Sequence, residues 1–539
     1  MTPAAKSSRR TPYQPQNRRR ILCVIPRYSP SFGTFHHAYE LMPGVKGFMP
    51  PQGLLVVAAY MPESWEVRLI DENIRPARWW DYRWADAVII SGMHIQKPQI
   101  LETNRKAHQH GKITVLGGPS VSACPEYYPE VDILHLGELG DATDAMIAYL
   151  DSHTERPPQQ IILQTKERVP LHQFPIPAYE KLPLRRYFLG GVQFSGGCPY
   201  HCEFCDIPAL YGNHPRLKTP QQILEELDAI LAAGNPGAIY FVDDNFIGNR
   251  KAVMELLPHL IEWQKERGYS VQFACEATLN LAQSPKILAM MREAYFCTVF
   301  CGIETPEPEA LRSISKEHNL SLPILQSIKI LNSYGLEVVS GIILGLDTDT
   351  PMTGERILEF IRLSQIPILT INLLYALPKT PLRERLEREG RLVFDESRES
   401  NVDFLMPYEQ VVAMWRQCIT QAYTPEFIYE RFAYDLKHTY PNRIRLPNSP
   451  ARTSWANIVK GLRLLFNILV KVGLWSDHRE TFWKFAKLAR QQGQIEYIIS
   501  TALVSHHLIK FARECGQGKE SASFYSQKVR QPVAVTTSY

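Results

Sequence analysis

"GVQFSGGCPYHCEFCDIP", Gly191–Pro208, runs from an apolar, strand-forming segment straight into a loop that holds Cys198, Cys202 and Cys205. That order puts a ligating loop at the carboxyl end of a strand, the end at which parallel α/β barrels carry their chemistry. The spacing is C-x-x-x-C-x-x-C, with no fourth cysteine close by. Thiolates bind zinc or iron-sulfur clusters. A structural zinc site is closed by four ligands, and His201 or His214 could supply the fourth. An iron-sulfur cubane normally takes four cysteines; held by three, it keeps one iron free for an exogenous ligand.

Working outward, the same strand opens a regular series over residues 190–395. Its further strands read "AIYFVDDN", "VQFACEATLN", "TVFCGIETP", "EVVSGIILGL" and "LTINLLYALP". Helices alternate with them. "TPQQILEELDAILAAG" starts with Pro220 at the first helical position, and Thr219 with Gln222 predicts a capping box. Six strand-helix repeats are too few for an eight-fold barrel and predict a partial, TIM-like (β/α)6 barrel. Cys275, Cys297 and Cys301 lie in apolar strand contexts and read as packing residues.

Residues 20–151 form an earlier α/β series with the apolar runs "ILCVIP", "EVRLID", "ADAVIISG", "KITVLGG" and "DILHLGE". Runs this uniformly hydrophobic read as parallel strands covered on both faces, hence a doubly wound, Rossmann- or flavodoxin-like domain. Ligands of such sheets bind beyond the carboxyl ends of the strands. Those ends carry Ser91 and Gly92, then Gly117, Gly118, Pro119 and Ser120, then Gly137 and Glu138. Glycines there admit a bulky ligand to the backbone, or simply make turns.

Residues 152–189, rich in proline and charge, read as a linker, and residues 396–515 as a mainly helical carboxyl-terminal domain. Residues 1–19 and 516–539 read as disordered tails. Within the helical region, "NIVKGLRLLFNILVKVGLW" places Ile458, Leu462, Leu465, Phe466, Leu469 and Val472 on one face and Lys460, Arg463, Asn467 and Lys471 on the other. Such a basic amphipathic helix either packs on a core or lies on a membrane surface.

Composition bounds these readings. A chain of 539 residues exceeds one ordinary core and implies two or three domains. The formal charge is +4, but residues 1–20 hold six basic and no acidic residues, so the folded body is slightly negative and gives no basis for nucleic-acid binding. Arg9 and Arg10 resemble a twin-arginine export signal, yet the run "ILCVIP" is shorter than the roughly 7–15 apolar residues an export signal needs. No apolar run reaches about 18 residues, so no membrane span is expected. Ten cysteines without a secretory signal fit a reducing, cytoplasmic setting.

The cysteine loop, with Phe204 as its aromatic, resembles that of the radical S-adenosylmethionine (SAM) superfamily, and further matches follow in order. "YFVDDNF" (Asp243, Asp244, Asn245) is similar to the segment that meets the SAM amino group, although it departs from the usual Gly-Gly-Glu. "CGIETPEP" resembles Gly-x-Glu-Ser and carries Glu304; "GIILGLDTDT" resembles the adenine-packing element, with Gly341, Ile343 and Gly345. "YALPKTPL" resembles Pro-x-x-Gly-Thr-Pro, with Lys379 in place of glycine. The resemblance implies a 4Fe-4S cluster on the three cysteines and SAM bound at its open iron. Read without it, Asp243 and Asp244 could be a solvated strand end and Glu304 a helix cap.

An α/β domain ahead of such a barrel resembles the cobalamin-binding branch of the superfamily. "PPQGLLVVAAY", "GGPSVSACPE" and "LGELGDATDAM" carry that likeness, whereas the cobalt-ligating Asp-x-His-x-x-Gly is absent. His94 and His135 lie near strand ends outside that context. The resemblance implies cobalamin held without a histidine on cobalt, its lower face on the loop from Gly117 to Ser120. The whole-chain pattern, including "RYSPSFGTFHHAYELMPGVKGFMPPQGLL", is similar to the hopanoid C-2 methylases. That likeness implies a cobalamin-dependent methyltransferase acting on an unactivated carbon of a polycyclic terpenoid lipid. An electron donor such as flavodoxin or ferredoxin and peripheral membrane contact go with it. Oxidative cyclisation or rearrangement of another hydrophobic substrate, and a non-enzymatic cobalamin-binding regulator with a structural cluster, remain the alternatives.

Overall fold

The computed structural model describes residues 11–234, 236–446 and 455–523. Residues 1–10 and 524–539 of the expected tails, and the side chains of Ile458 and Lys460, lie outside the described residues.

Two six-stranded parallel sheets carry the chain. The first comprises β1 (Arg20–Ile25), β2 (Glu66–Asp71), β3 (Ala87–Ser91), β4 (Ile113–Gly117), β5 (Ile133–Leu136) and β6 (Ile161–Gln164), ordered β2-β1-β3-β4-β5-β6. Alternate residues of β1 enter two separate cores: Ile21, Cys23 and Ile25 face one, Leu22 and Val24 the other. This is the two-sided burial that the uniform apolar runs predict. Each such side chain taken fully out of water contributes about 1.5–3 kcal/mol. The chain order reverses between β1 and β3, the switch point at which doubly wound sheets hold ligands.

β6 corrects the expected linker. It lies within residues 152–189 and pairs in parallel with β5, Ile133 opposite Ile161. The sequence hid it because it is an edge strand, half covered, with Ile162 57% exposed.

The second sheet is the barrel, with β7 (Gly190–Val192), β10 (Ala238–Phe241), β11 (Gln272–Glu276), β12 (Phe296–Glu304), β13 (Glu337–Leu344) and β14 (Ile368–Leu373) in consecutive order. All its pairings are parallel, and β7 and β14 are edges, so the barrel is open. A two-stranded antiparallel clip, β8 (Ser195–Gly196) with β9 (Arg216–Leu217), brackets the cysteine loop. Along the barrel strands Ile239, Phe241, Val299 and Cys301 are buried against the helices. The alternating residues Tyr240, Ala274, Phe300, Val339 and Ile343 stay half-exposed, so the lumen is unfilled. Cys275, Cys297 and Cys301 are buried packing residues as expected.

Thr219 caps its helix by accepting from Gln222 N at 3.2 Å, but the reciprocal half of the capping box is missing. The Gln222 amide instead donates to the carbonyls of Leu171 and Phe174, holding the interdomain segment.

Helices fill the carboxyl-terminal region, among them Tyr408–Ala422, Pro425–His438, Arg479–Gln491 and Glu496–Gly516. Both expected tails are shorter than the sequence implied. Asp151 accepts from Tyr13 Oη, Gln16 N and Asn17 N, strapping residues 11–19 to the first domain. At the other end Ser523 Oγ donates to the Glu399 carbonyl at 2.7 Å.

The amphipathic helix, Trp455–Ile468, continues into a π-helical turn, Leu469–Leu474. The wider turn resets the phase, so Val472 is buried beside Ile468 rather than grouped with the apolar face. Leu462 (61% exposed) and Phe466 (66%) face out. Two residues of the polar side reach inward, Asn467 donating to the Leu41 carbonyl and Lys471 to that of Glu40, while Arg463 stays exposed.

Candidate active site

The loop after β8 holds Cys198, Cys202 and Cys205, all half-exposed. Gly197 makes it possible: its φ is +97°, and a Cβ there would lie 2.7 Å from the Gly212 carbonyl oxygen. Backbone bonds then set the loop, Cys198 N to Gly212 O at 3.2 Å and Cys205 N to Cys202 O at 3.1 Å. Arg385 pairs with Glu203 inside the loop at 2.6 Å, tying it to the helix after β14. A cavity of about 380 Å³ is lined by Cys202, Cys205, His201 and Lys379.

Burial pushes all three thiol pKa values up, while the Lys316 ammonium pulls those of Cys198 and Cys202 back. Thiols this reluctant to ionise become thiolates when a metal displaces their protons. Three such donors on one loop fit a cluster bound through three cysteines.

Asp243 and Asp244 are loop clamps in this structure. The Asp243 carboxylate accepts from Phe194 N at 3.1 Å and from Ser195 N, and Asp244 accepts from Gly197 N at 2.7 Å. Asp243 is 1% exposed and burial raises its pKa to about 7; burial likewise raises Asp244 to about 6. Their neighbour Asn245 is 2% exposed, and its side chain lies against the Cys198 thiol, favouring the thiolate that a cluster requires.

Glu304 ends β12 at a register shift with φ +67°, a bulge that turns the side chain back over Gly302. A Cβ at Gly302 would meet Glu304 Oε1 at 2.3 Å and Lys316 Nζ at 2.8 Å, so only glycine fits beneath that pair. Lys316 Nζ lies 2.5 Å from Glu304 Oε1 and 5.4 Å from the Phe204 ring centroid. Gly341 adjoins the same carboxylate, and Ile343 faces the lumen. Gly345, with φ +94°, is backed by the Phe404 ring, 2.4 Å from where a Cβ would stand; in this structure it serves the turn rather than the lumen.

The other half of the site belongs to the first sheet. A cavity of about 370 Å³ is lined by Ser91, Gly92, Gly117, Gly118, Pro119, Gly137 and Glu138. Gln193, Val242 and Asp244 from the barrel line it too, so the carboxyl ends of both sheets face one space. Gly118 (φ +99°) and Gly137 (φ +97°) give the shelf a backbone surface suited to a large planar ligand. Ser120 is absent from the lining; it is fully buried and shares hydrogen bonds with Tyr128 and His94. Glu138 pairs with Arg168 of the interdomain segment and with Arg216 of the β8-β9 clip, and Lys379 Nζ, beyond β14, donates to the Ser122 carbonyl at 2.5 Å, tying the barrel to the first domain. Lys379, in the place of the expected glycine, takes φ +60°. His135 lines the cavity, but its Nε2 is 2.8 Å from Thr143 Oγ1.

Sequence reasoning missed Lys316. Lys316 follows a polar turn with no periodic signal.

A cysteine loop on an open parallel barrel, facing a glycine shelf on a doubly wound sheet, defines a cobalamin-binding radical SAM enzyme. Residues 42–147 match the B12 binding domain, residues 192–361 the Radical SAM superfamily, and residues 380–521 a domain of unknown function (DUF4070). Among solved structures the fold is shared with the cobalamin-dependent SAM radical enzyme OxsB, solved with aqua-cobalamin and SAM (TM-score 0.57, 14% identity, 94% of this chain and 82% of that one). It is shared also with the radical SAM methyltransferase TsrM from Kitasatospora setae, solved with cobalamin and a [4Fe-4S] cluster (0.56, 15%, 88% and 100%).

In sequence the chain is 57% identical over 516 residues to the hopanoid C-2 methylase of Rhodopseudomonas palustris (strain TIE-1), spanning 96% of this chain and 98% of that one. It is 33% identical to an uncharacterized methyltransferase of Synechocystis sp., over 96% and 97%. The chain belongs to the hopanoid C-2 methylase family, within the cobalamin-binding branch of the radical SAM superfamily. The matched Radical SAM and B12 binding domains give SAM and cobalamin as its cofactors.

Proposed function

We propose that the chain methylates C-2 of a hopanoid, a polycyclic terpenoid lipid. The observation that carries this reading is the single space shared by the cysteine loop's barrel and the glycine shelf, in a chain 57% identical to a hopanoid C-2 methylase over 96% of its length. When bound, the cluster with SAM supplies one-electron chemistry at an unactivated carbon, and cobalamin carries the methyl group.

The chain's own part is placement. Cys198, Cys202 and Cys205 hold the cluster; Phe204, Asn245, Glu304, Gly341 and Ile343 border SAM, while Asp243 and Asp244 fix the loop that carries it. Ser91, Gly92, Gly117, Gly118, Pro119, Gly137 and Glu138 form the cobalamin shelf. The lumen residues Phe300, Val339 and Ile343 offer an apolar wall, which suits a hydrocarbon skeleton and excludes water from the reacting carbon.

Finer partners follow from the same reading. A flavodoxin- or ferredoxin-type donor reduces the cluster. No helix among the described residues is long and apolar enough to cross a membrane. The exposed Leu462, Phe466, Leu474, Trp475 and Trp483, with Arg463 and Lys484 beside them, rest the cytoplasmic enzyme on an anionic bilayer that holds its substrate.

The deciding test is expression in a hopanoid-producing host lacking its own C-2 methylase. A hopanoid heavier by one methylene unit, labelled from the SAM methyl group, supports the proposal. SAM cleavage without a methylated lipid would overturn it.

A further inference from the structure

Away from that cavity, His36 and His37 on the turn His36–Glu40 meet Glu514 on the last helix, Glu496–Gly516. One donor atom from each lies within 4.8 Å of the other two. His37 is held on both sides, Nδ1 at 3.0 Å from Glu40 Oε1 and Nε2 at 2.8 Å from Glu514 Oε2. Glu40 is fixed in turn by Lys510 Nζ, 3.0 Å from both its oxygens. Nδ1 of His36 is buried and has no hydrogen-bond partner.

We propose that His36, His37 and Glu514 bind a divalent transition-metal ion of the zinc class, fastening the amino-terminal segment to the last helix. Mixed imidazole and carboxylate donors suit zinc, with metal-ligand distances of about 2.0–2.2 Å, so small side-chain rotations close the site. Glu40 on His37 Nδ1 is the outer carboxylate that orients a ligating imidazole and fixes its tautomer. On binding, the proton shared by His37 Nε2 and Glu514 Oε2 leaves to solvent, and both atoms become ligands. His507 packs beside the pair, its ring centroid 5.1 Å from that of His36 and 5.8 Å from that of His37, but its Nε2 lies 3.2 Å from the Phe32 carbonyl, so water completes the coordination. The clasp joins residues 477 apart in sequence and is independent of the methyl-transfer reading.

The test uses the full chain with Cys198, Cys202 and Cys205 changed to alanine, so that empty cluster thiolates capture no metal. Dialysis against Zn²⁺, metal analysis and thermal unfolding should show one zinc per chain and a raised melting temperature. His36→Ala and Glu514→Gln should each weaken binding at least ~10-fold and abolish the rise. A folded triple variant that takes up no zinc, or equal uptake by both single-site variants, overturns the proposal. Should the triple variant not fold, zinc counted beside iron in the cluster-loaded chain and its His36→Ala and Glu514→Gln forms decides by the same criteria.

Discussion

Lys316 Nζ stands 2.5 Å from Glu304 Oε1 with each side chain only 9% exposed, and 5.4 Å from the Phe204 ring of the cluster loop. Taking away one member of a buried pair strands the other charge. Lys316→Met should therefore lower unfolding stability by about 3–5 kcal/mol, and Lys316→Met with Glu304→Met should recover most of it. Denaturant unfolding of both proteins checks this; a double variant as unstable as the single one would show that the pair is not the cause.

The cluster cysteines are half-exposed and outside the hydrophobic core. Alanine at Cys198, Cys202 or Cys205 should leave the circular dichroism spectrum intact while iron, sulfide and SAM cleavage fall to background. Full iron content in any of the three would refute the assignment.

Burial raises the pKa of Asp243 and of Glu276 to about 7. A raised carboxylate pKa means that the folded state holds the proton more tightly than the unfolded one. The stability it contributes is complete below the ordinary carboxylate range near pH ~4 and is lost as pH rises through about 7. Melting temperature should thus fall between about pH 4 and 7, and Asp243→Asn should flatten that fall. An unchanged slope in the variant would exclude Asp243 as its source.

At Gly118, φ is +99° and a Cβ would come within 2.8 Å of Ser91 Oγ. Gly118→Ala should cost about 1–3 kcal/mol and weaken cobalamin uptake while the iron content holds. Gly33→Ala, with nothing within 4 Å of the new Cβ, serves as the control. Equal cobalamin binding by the two variants would argue against the shelf.

Phe466 is 66% and Leu465 36% exposed, so changing both to glutamate should leave melting unaltered. Sedimentation with anionic vesicles should drop severalfold in that variant and in high salt. Retention of full vesicle binding would point to another surface.

All five strands expected in the first domain and all six in the barrel occur, because apolar runs and helix caps are local signals that survive in one dimension. The cysteine loop was legible for the same reason: its ligands lie within eight residues of one another. Local reading failed where exposure or partner choice decides. β6 is a half-covered edge strand, Gln222 abandons its capping box for two carbonyls across the domain boundary, and a π-helical turn rotates Val472 off its predicted face.

By itself, then, the order of residues determined two parallel α/β units, a three-cysteine loop at a strand end and the family they imply. The tertiary structure alone decided that both sets of strand ends open on one cavity, that Glu304 is answered by Lys316, and that His37 meets Glu514 across 477 residues. Periodicity is a property of neighbours along the chain. Pairing of buried charges and shaping of a shared cavity depend on which distant segments pack together, and that is settled by burial in three dimensions.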